Sequence, residues 1–366
     1  MHPTPRPAAG TARSRQLLLP PPGPGGAITT VGQLRRHLQT AIELEHSTIP
    51  VYLCALFSIK DGRNPFALRT LHDIVIEEML HMSQAANILN AVGGEPSVNG
   101  RGFVPSYPTY LPHSDDAFLV PLQSFSPQAL ATFLEIELPR TVHTPPSGDH
   151  YHTIGQFYAA LKDGLIYLAE RDENLFNGDP ARQLGPEHYY GSGGQLVPVR
   201  CLDDAIKGIN EIVGQGEGID GGIIDAGGPM PGPDVEYAHY FRFKEIACER
   251  RYRPQDKANA PPTGAPIEVD WSADATYQMR PNPKLAHYEP GSPLWNKTLN
   301  FNLTYMALLD AIHHAFNGEP GAIARTIPMM WDLKYKALEL MKIPLNDSET
   351  AGPSFEYISP NLESRS

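Results

Sequence analysis

The sequence is short of cysteine, short of cations and without a long hydrophobic run. Its three cysteines, Cys54, Cys201 and Cys248, are far apart and odd in number among 366 residues. None forms a Cys-x-x-Cys spacing, so neither a zinc knuckle nor a redox pair is expected, and a reducing, cytoplasmic setting is the simplest inference. Lys and Arg number 29 against 41 Asp and Glu, a net charge of −12. A general nucleic-acid binder is thereby excluded, because nothing offsets repulsion between an acidic surface and phosphate. No stretch approaches the roughly 18 to 20 apolar residues of a membrane span, so the chain is expected to be soluble and free of membrane contact. There is no Gly-x-Ser-x-Gly elbow, and the glycine-dense run from Gly214 to Gly222 follows no strand, which argues against a nucleotide-binding loop.

Glycine and proline, by contrast, are abundant. With 32 Gly and 37 Pro they approach a fifth of the chain, against roughly 12% in ordinary domains. Hydrophobic residues at 41% still suffice for a core, which excludes wholesale disorder. Residues 1–28 are expected to be a disordered Pro/Gly-rich tail. Arg6, Arg13 and Arg15 precede the apolar Leu17 to Leu19, but Pro20-Pro21-Pro22 ends that run too early for a signal-peptide core.

Apolar residues recur at helical spacing through most of the rest, and alternating strand patterns are nearly missing, so the fold class is mainly α. Helices are expected at 30–59, interrupted only by Pro50, and at 66–92, which stops at Gly93-Gly94. Further helices follow near 127–137 and 153–171, then at 202–217 and 234–250. Two more are expected at 297–317 and 320–342. The organisation expected is a four-helix bundle over 29–252 with an insertion at 93–200 between its second and third helices. A Pro-rich connector and C-terminal helices packed on the bundle occupy 253–366.

Two segments carry the motif Glu-x-x-His, at Glu78 to His81 and at Glu236 to His239. On a helix this spacing puts a carboxylate and an imidazole on one face, within reach of one metal ion. Two such motifs and one carboxylate from each of two other helices make a dimetal carboxylate site. Helical phase selects the extra carboxylates. Glu45 lies within the stripe of Leu34, Leu38, Ala41, Ile42, Ile49, Tyr52 and Leu56, whereas Glu43 lies opposite. Glu78 sits at the centre of the stripe of Leu68, Leu71, Val75, Met82 and Leu89 with His81 at its edge, and Glu77 points away. Glu217 is nearer than Glu211 to the face of Ile206, Ile209, Ile212 and Val213, and is the choice for the third helix. Glu236 and His239 share the stripe of Tyr240, Phe243, Ile246 and Ala247. Four inward carboxylates without compensating charge would not be tolerated in a core, and two divalent cations would compensate them. Oxygen and imidazole ligands without thiolate suit iron or manganese better than structural zinc. Tyr52 is a candidate hydrogen-bond partner of the ligands. His313-His314 could line a pocket, although a His pair near a helix C-terminus more often just favours the dipole.

The stretch from Leu44 to Leu53 (LEHSTIPVYL) and that from Glu77 to Gly94 resemble the ferritin-like family. That family includes the iminophenyl-pyruvate dimer synthase of violacein biosynthesis and the related chromopyrrolate synthase. Gln215-Gly216-Glu217-Gly218, the run from His239 to Ile246, Ala315 to Gly318 and Thr350 to Tyr357 are similar as well, so the resemblance extends from about 31 to 358. It implies a ferritin-like bundle and an iron-dependent oxidative reaction in specialised metabolism, and it favours Glu217 over Glu211. Those dimer synthases carry a long additional N-terminal region, so the bundle and metal site are expected to carry over and the coupling reaction is not.

The function expected is a non-haem dimetal oxidoreductase. Two iron ions, with manganese as the alternative, are held by Glu45, Glu78, His81, Glu217, Glu236 and His239, and O2 is used on a small organic substrate. No flavin or nicotinamide motif is present, so electrons are expected from an external donor or from the substrate. The alternative is a metal-binding or iron-storing protein without an organic substrate. The oligomeric state is left open, a dimer included.

Overall fold

In the computed structural model, the residues described are 28–112, 118–139, 151, 153–189, 191, 193–218, 222–224 and 236–359. Residues 1–27, most of the expected tail, lie outside them. Ile28 is buried in the core, where Gly164 makes room for it; a Cβ at 164 would lie 2.6 Å from Ile28 Cβ.

Helix α1 runs from Val31–Ser58 and α2 from Pro65–Ala91. Thr30 caps α1 in a capping box with Gln33, each satisfying a free backbone N–H of the other. Pro50 denies His46 its helical hydrogen bond. The neighbouring carbonyls are reinforced by side chains, Ser47 Oγ donating to Leu44 O and Thr48 Oγ1 to Glu45 O, both at 2.7 Å. The helix therefore continues through the proline. α2 starts with Pro65 at its first turn and stops where Gly93 takes a φ of +70° and Gly94 donates to Leu89 O. Together the two form a hairpin of long antiparallel helices, each about 40 Å at 1.5 Å per residue.

The other side of the bundle consists of broken helices. α3 (Pro127–Ile136) packs on the C-terminal half of α1, with Phe133 edge-on to Tyr52 at 4.9 Å. α4 (Ile154–Ala169) continues along the N-terminal half, where Phe157 stacks on His37 and Gly164 meets Ile28. α5 (Leu202–Glu217) lies on the C-terminal half of α2, its Gly208 against Gln84. α6 (His239–Ala247) covers the N-terminal half and leads to Arg251 over the Phe66 ring. α3 also packs on α6, and α4 on α5. Thus α3 with α4 makes one wall antiparallel to α1, and α5 with α6 makes another antiparallel to α2.

The mainly α bundle expected from sequence is what the structure shows, but its walls are distributed differently along the chain. The third wall falls at 127–169, inside the stretch expected as an insertion. The helix expected from Asp234 begins at His239, because Tyr237 pairs with Ile224 in an isolated β-bridge and Ala238 is still extended. Outside the bundle, α7 (Pro293–Phe316) and α8 (Thr326–Met341) pack on each other, α8 also on α1 and α7 on α2. Tyr305 of α7 is 2.7 Å from the His46 ring. Among the described residues the β-structure is confined to isolated bridges, and no helix is long and apolar enough to cross a membrane.

Candidate metal centre

Both broken walls are interrupted halfway along α1 and α2, and at that level buried polar side chains converge. Two groups arise there. Glu45, Glu78 and His81 form one and Glu78, Glu137 and His239 the other, the ligand atoms of each lying within 4.8 Å of one another. Glu78 belongs to both. All five side chains are buried, Glu137 being the most accessible at 6%.

Each member is held by a neighbour. Tyr158 of α4 donates a short hydrogen bond to Glu45, and Tyr52 donates to Glu137 Oε1 at 2.6 Å. Thr48 Oγ1, whose proton goes to Glu45 O, lies 3.0 Å from Glu78 Oε2. His81 places Nδ1 3.4 Å from Glu45 and Nε2 2.7 Å from Gln215 Oε1. His239 places Nδ1 3.0 Å from Glu78 and 3.6 Å from Glu137, with Nε2 2.8 Å from Glu77 Oε2. Arg242, one turn on in α6, closes on the same Glu77 oxygen.

Titration follows from this crowding. Burial and the charge of Glu137 push the Glu78 carboxyl up, with Glu45 adding to the effect. Burial also acts to raise Glu45, but the hydrogen bond and charge of His81 outweigh it and hold Glu45 below the ordinary range. Both imidazoles would fall with burial. Instead they rise, His81 because of Glu45 and His239 because of Glu137, Glu77 and Glu78. Burial would raise Glu77 as well, but the Arg242 guanidinium holds it down at about 2.

The residues fit a cation. Three carboxylates share a buried site, and among the described residues no lysine or arginine forms an ion pair with any of them. His239 Nδ1 is buried and makes no well-formed hydrogen bond, although Glu78 Oε1 is 3.0 Å away. With Nε2–H donated to ionised Glu77, that Nδ1 turns a lone pair toward carboxylate oxygens. Such an arrangement is repulsive unless a proton or a metal lies between. The raised Glu78 and imidazoles are the protonic version of the site, and a divalent cation would displace those protons.

Of the six residues expected to bind metal, Glu45, Glu78, His81 and His239 come together. Glu236 does not join them. It lies in the extended segment before α6, where the helical spacing of Glu-x-x-His does not apply, and its Oε1 is 3.7 Å from Arg242. Glu217 ends α5, and its side chain lies outside the described residues. Tyr52 serves Glu137 by a direct hydrogen bond. Glu137, the C-cap of α3, was not among the expected ligands. Its signal was present, since Leu130, Phe133, Leu134 and Glu137 follow the helical stripe that singled out Glu45. Glu77, which phase on α2 alone turned outward, is fully buried because α6 covers that side of the helix. His313 belongs to a separate polar recess with Glu95, Arg182 and Asn317.

The ferritin-like family model matches residues 38–248. The 2-imino-3-(indol-3-yl)propanoate dimerase of Chromobacterium violaceum is 27% identical over 267 residues, covering 64% of this chain. The match spans only 25% of that protein's length. Among solved structures, a ferritin-like protein from Caulobacter vibrioides aligns with a TM-score of 0.63 at 24% identity, covering 90% of this chain and 100% of that one, a likeness of fold. The family match takes in more than half of the sequence and every residue of the two carboxylate–imidazole groups, and the chain belongs to the ferritin-like family.

Proposed function

We propose that the protein is a non-haem dimetal oxidoreductase that uses O2 on a small organic substrate in specialised metabolism. The observation that carries this reading is the pair of buried carboxylate–imidazole groups sharing Glu78. Two iron ions held there, or manganese in their place, would supply O2 activation and reduction. The chain's own residues do the rest. Glu45 and Glu137 close the two ends of the site, and the tyrosine hydrogen bonds on each fix their orientation. A recess between the end of α3, the start of α4 and the end of α5 is lined by Leu138, Ile154, Ile212 and Val213 and reaches Glu137. The name of the Chromobacterium relative supports a place in specialised metabolism. Electrons would come from an external donor or from the substrate.

Loading the apo-protein with ferrous iron under anaerobic conditions should give about two irons per chain, and admitting air should then consume O2 in step with iron oxidation. Well under one iron per chain contradicts the reading. Full loading with assembly into a many-subunit cage would favour storage instead.

A further inference from the structure

The two halves of the site are nearly equivalent. Each has one terminal glutamate, one imidazole and a share of Glu78, and each terminal glutamate accepts a tyrosine hydroxyl, Glu45 from Tyr158 and Glu137 from Tyr52. The difference lies behind the imidazoles. His239 Nε2 faces the carboxylate of Glu77, which is paired with the Arg242 guanidinium in a fully buried setting. His81 Nε2 faces the neutral amide oxygen of Gln215 at 2.7 Å. The orientation of that amide is set by its other end, since Gln215 Nε2 lies 3.4 Å from Glu211 Oε1 and so leaves Oε1 to accept.

An anionic acceptor draws the Nε2 proton more strongly than an amide does, and so makes Nδ1 the better electron donor. It also fixes the tautomer, because the Glu77 oxygen that meets the Arg242 guanidinium is an acceptor and so takes the Nε2 proton. We infer that the two metal positions of this chain are unequal. The one bounded by Glu78, Glu137 and His239 fills first, and the one bounded by Glu45, Glu78 and His81 fills second, with Glu77 and Arg242 as the positioning residues that set the order. The inference rests on the dimetal reading above and adds to it an order that neither the fold nor the ligand set requires. Removal of such an outer partner typically lowers metal affinity about 10- to 100-fold, which sets the scale of the expected gap.

The test is a calorimetric titration of the full-length apo-protein with Co2+ under anaerobic conditions, with crystals grown at one equivalent for anomalous scattering at the cobalt edge. Two binding steps separated at least about tenfold are expected, with the first cobalt between Glu78, Glu137 and His239. Glu77→Gln should weaken the first step by about tenfold or more and bring the two together. Should that variant fold poorly, Gln215→Glu tests the same point from the other side, because it gives His81 an anionic partner and should tighten the second step. Equal occupancy of both positions at one equivalent, or first filling beside His81, overturns the order while leaving the dimetal site intact. Absence of any Co2+ binding overturns the site and the order together.

Discussion

The long hairpin and the broken walls deliver their ligands differently. α1 and α2 pass through the metal level without interruption and present Glu45, Glu78 and His81 from mid-helix. α3 ends there and α6 begins there, presenting Glu137 from a C-cap and His239 from a first residue. A mid-helix side chain inherits its direction from the backbone on both sides. At a helix end that constraint is halved, and outer hydrogen bonds replace it: Tyr52 for Glu137, and Glu77 with Arg242 for His239. Glu45 and His81 therefore take their direction mainly from helix geometry, with Tyr158 and Gln215 beside them, whereas Glu137 and His239 depend more on a buried polar network.

The sharpest way to break that comparison is to remove what the halves share. Glu78→Gln should abolish both positions and take metal content from about two per chain to well under one by elemental analysis. Retention of two metals in this variant would remove the shared-ligand assignment. Next in size is Arg242→Met. Glu77 would be left as a buried charge without its guanidinium, at a cost of about 3–5 kcal/mol, read as a lower urea midpoint of the apo-protein. An unchanged midpoint would mean that the network does not hold α6 in place. Tyr52→Phe removes a single hydrogen bond from Glu137, so affinity at that end should fall by about tenfold or less with the fold intact. Glu236→Gln should be the mildest change, with two metals retained, because Glu236 faces Arg242 and lies outside both groups. Loss of one metal there would bring Glu236 into the site.

Proton release sharpens the same picture. Glu78, His81 and His239 are all raised, so at neutral pH the apo site carries protons that a cation must expel. Apparent affinity should then rise with pH across the neutral range, and calorimetry in buffers of different ionisation enthalpy should report protons released on binding. A pH-independent affinity would contradict this.

The unbroken half was also the half that could be read from sequence. Glu45 and Glu78 interrupt long apolar stripes, and a stripe of seven or eight positions fixes phase well enough to separate Glu45 from Glu43. In the broken half the helices are nine or ten residues long, and the Gly- and Pro-rich breaks made α3 look like part of an insertion. The stripe ending in Glu137 was short and belonged to a helix read as part of the insertion rather than of the bundle. Glu236 followed the motif in sequence but not in space, since the helix starts at His239. Glu77 could not be placed by the phase of α2 at all. Its burial depends on α6, a neighbour some 160 residues further along the chain.

The central claim is that one bundle holds two cations on either side of Glu78, one end closed by the hairpin and the other by the broken walls. Crystals of the fully iron-loaded protein, with anomalous scattering collected at the iron edge, test this most directly. Two peaks are expected, one bounded by Glu45, Glu78 and His81 and the other by Glu78, Glu137 and His239. A peak beside Glu236, or no peak at Glu78, would contradict it.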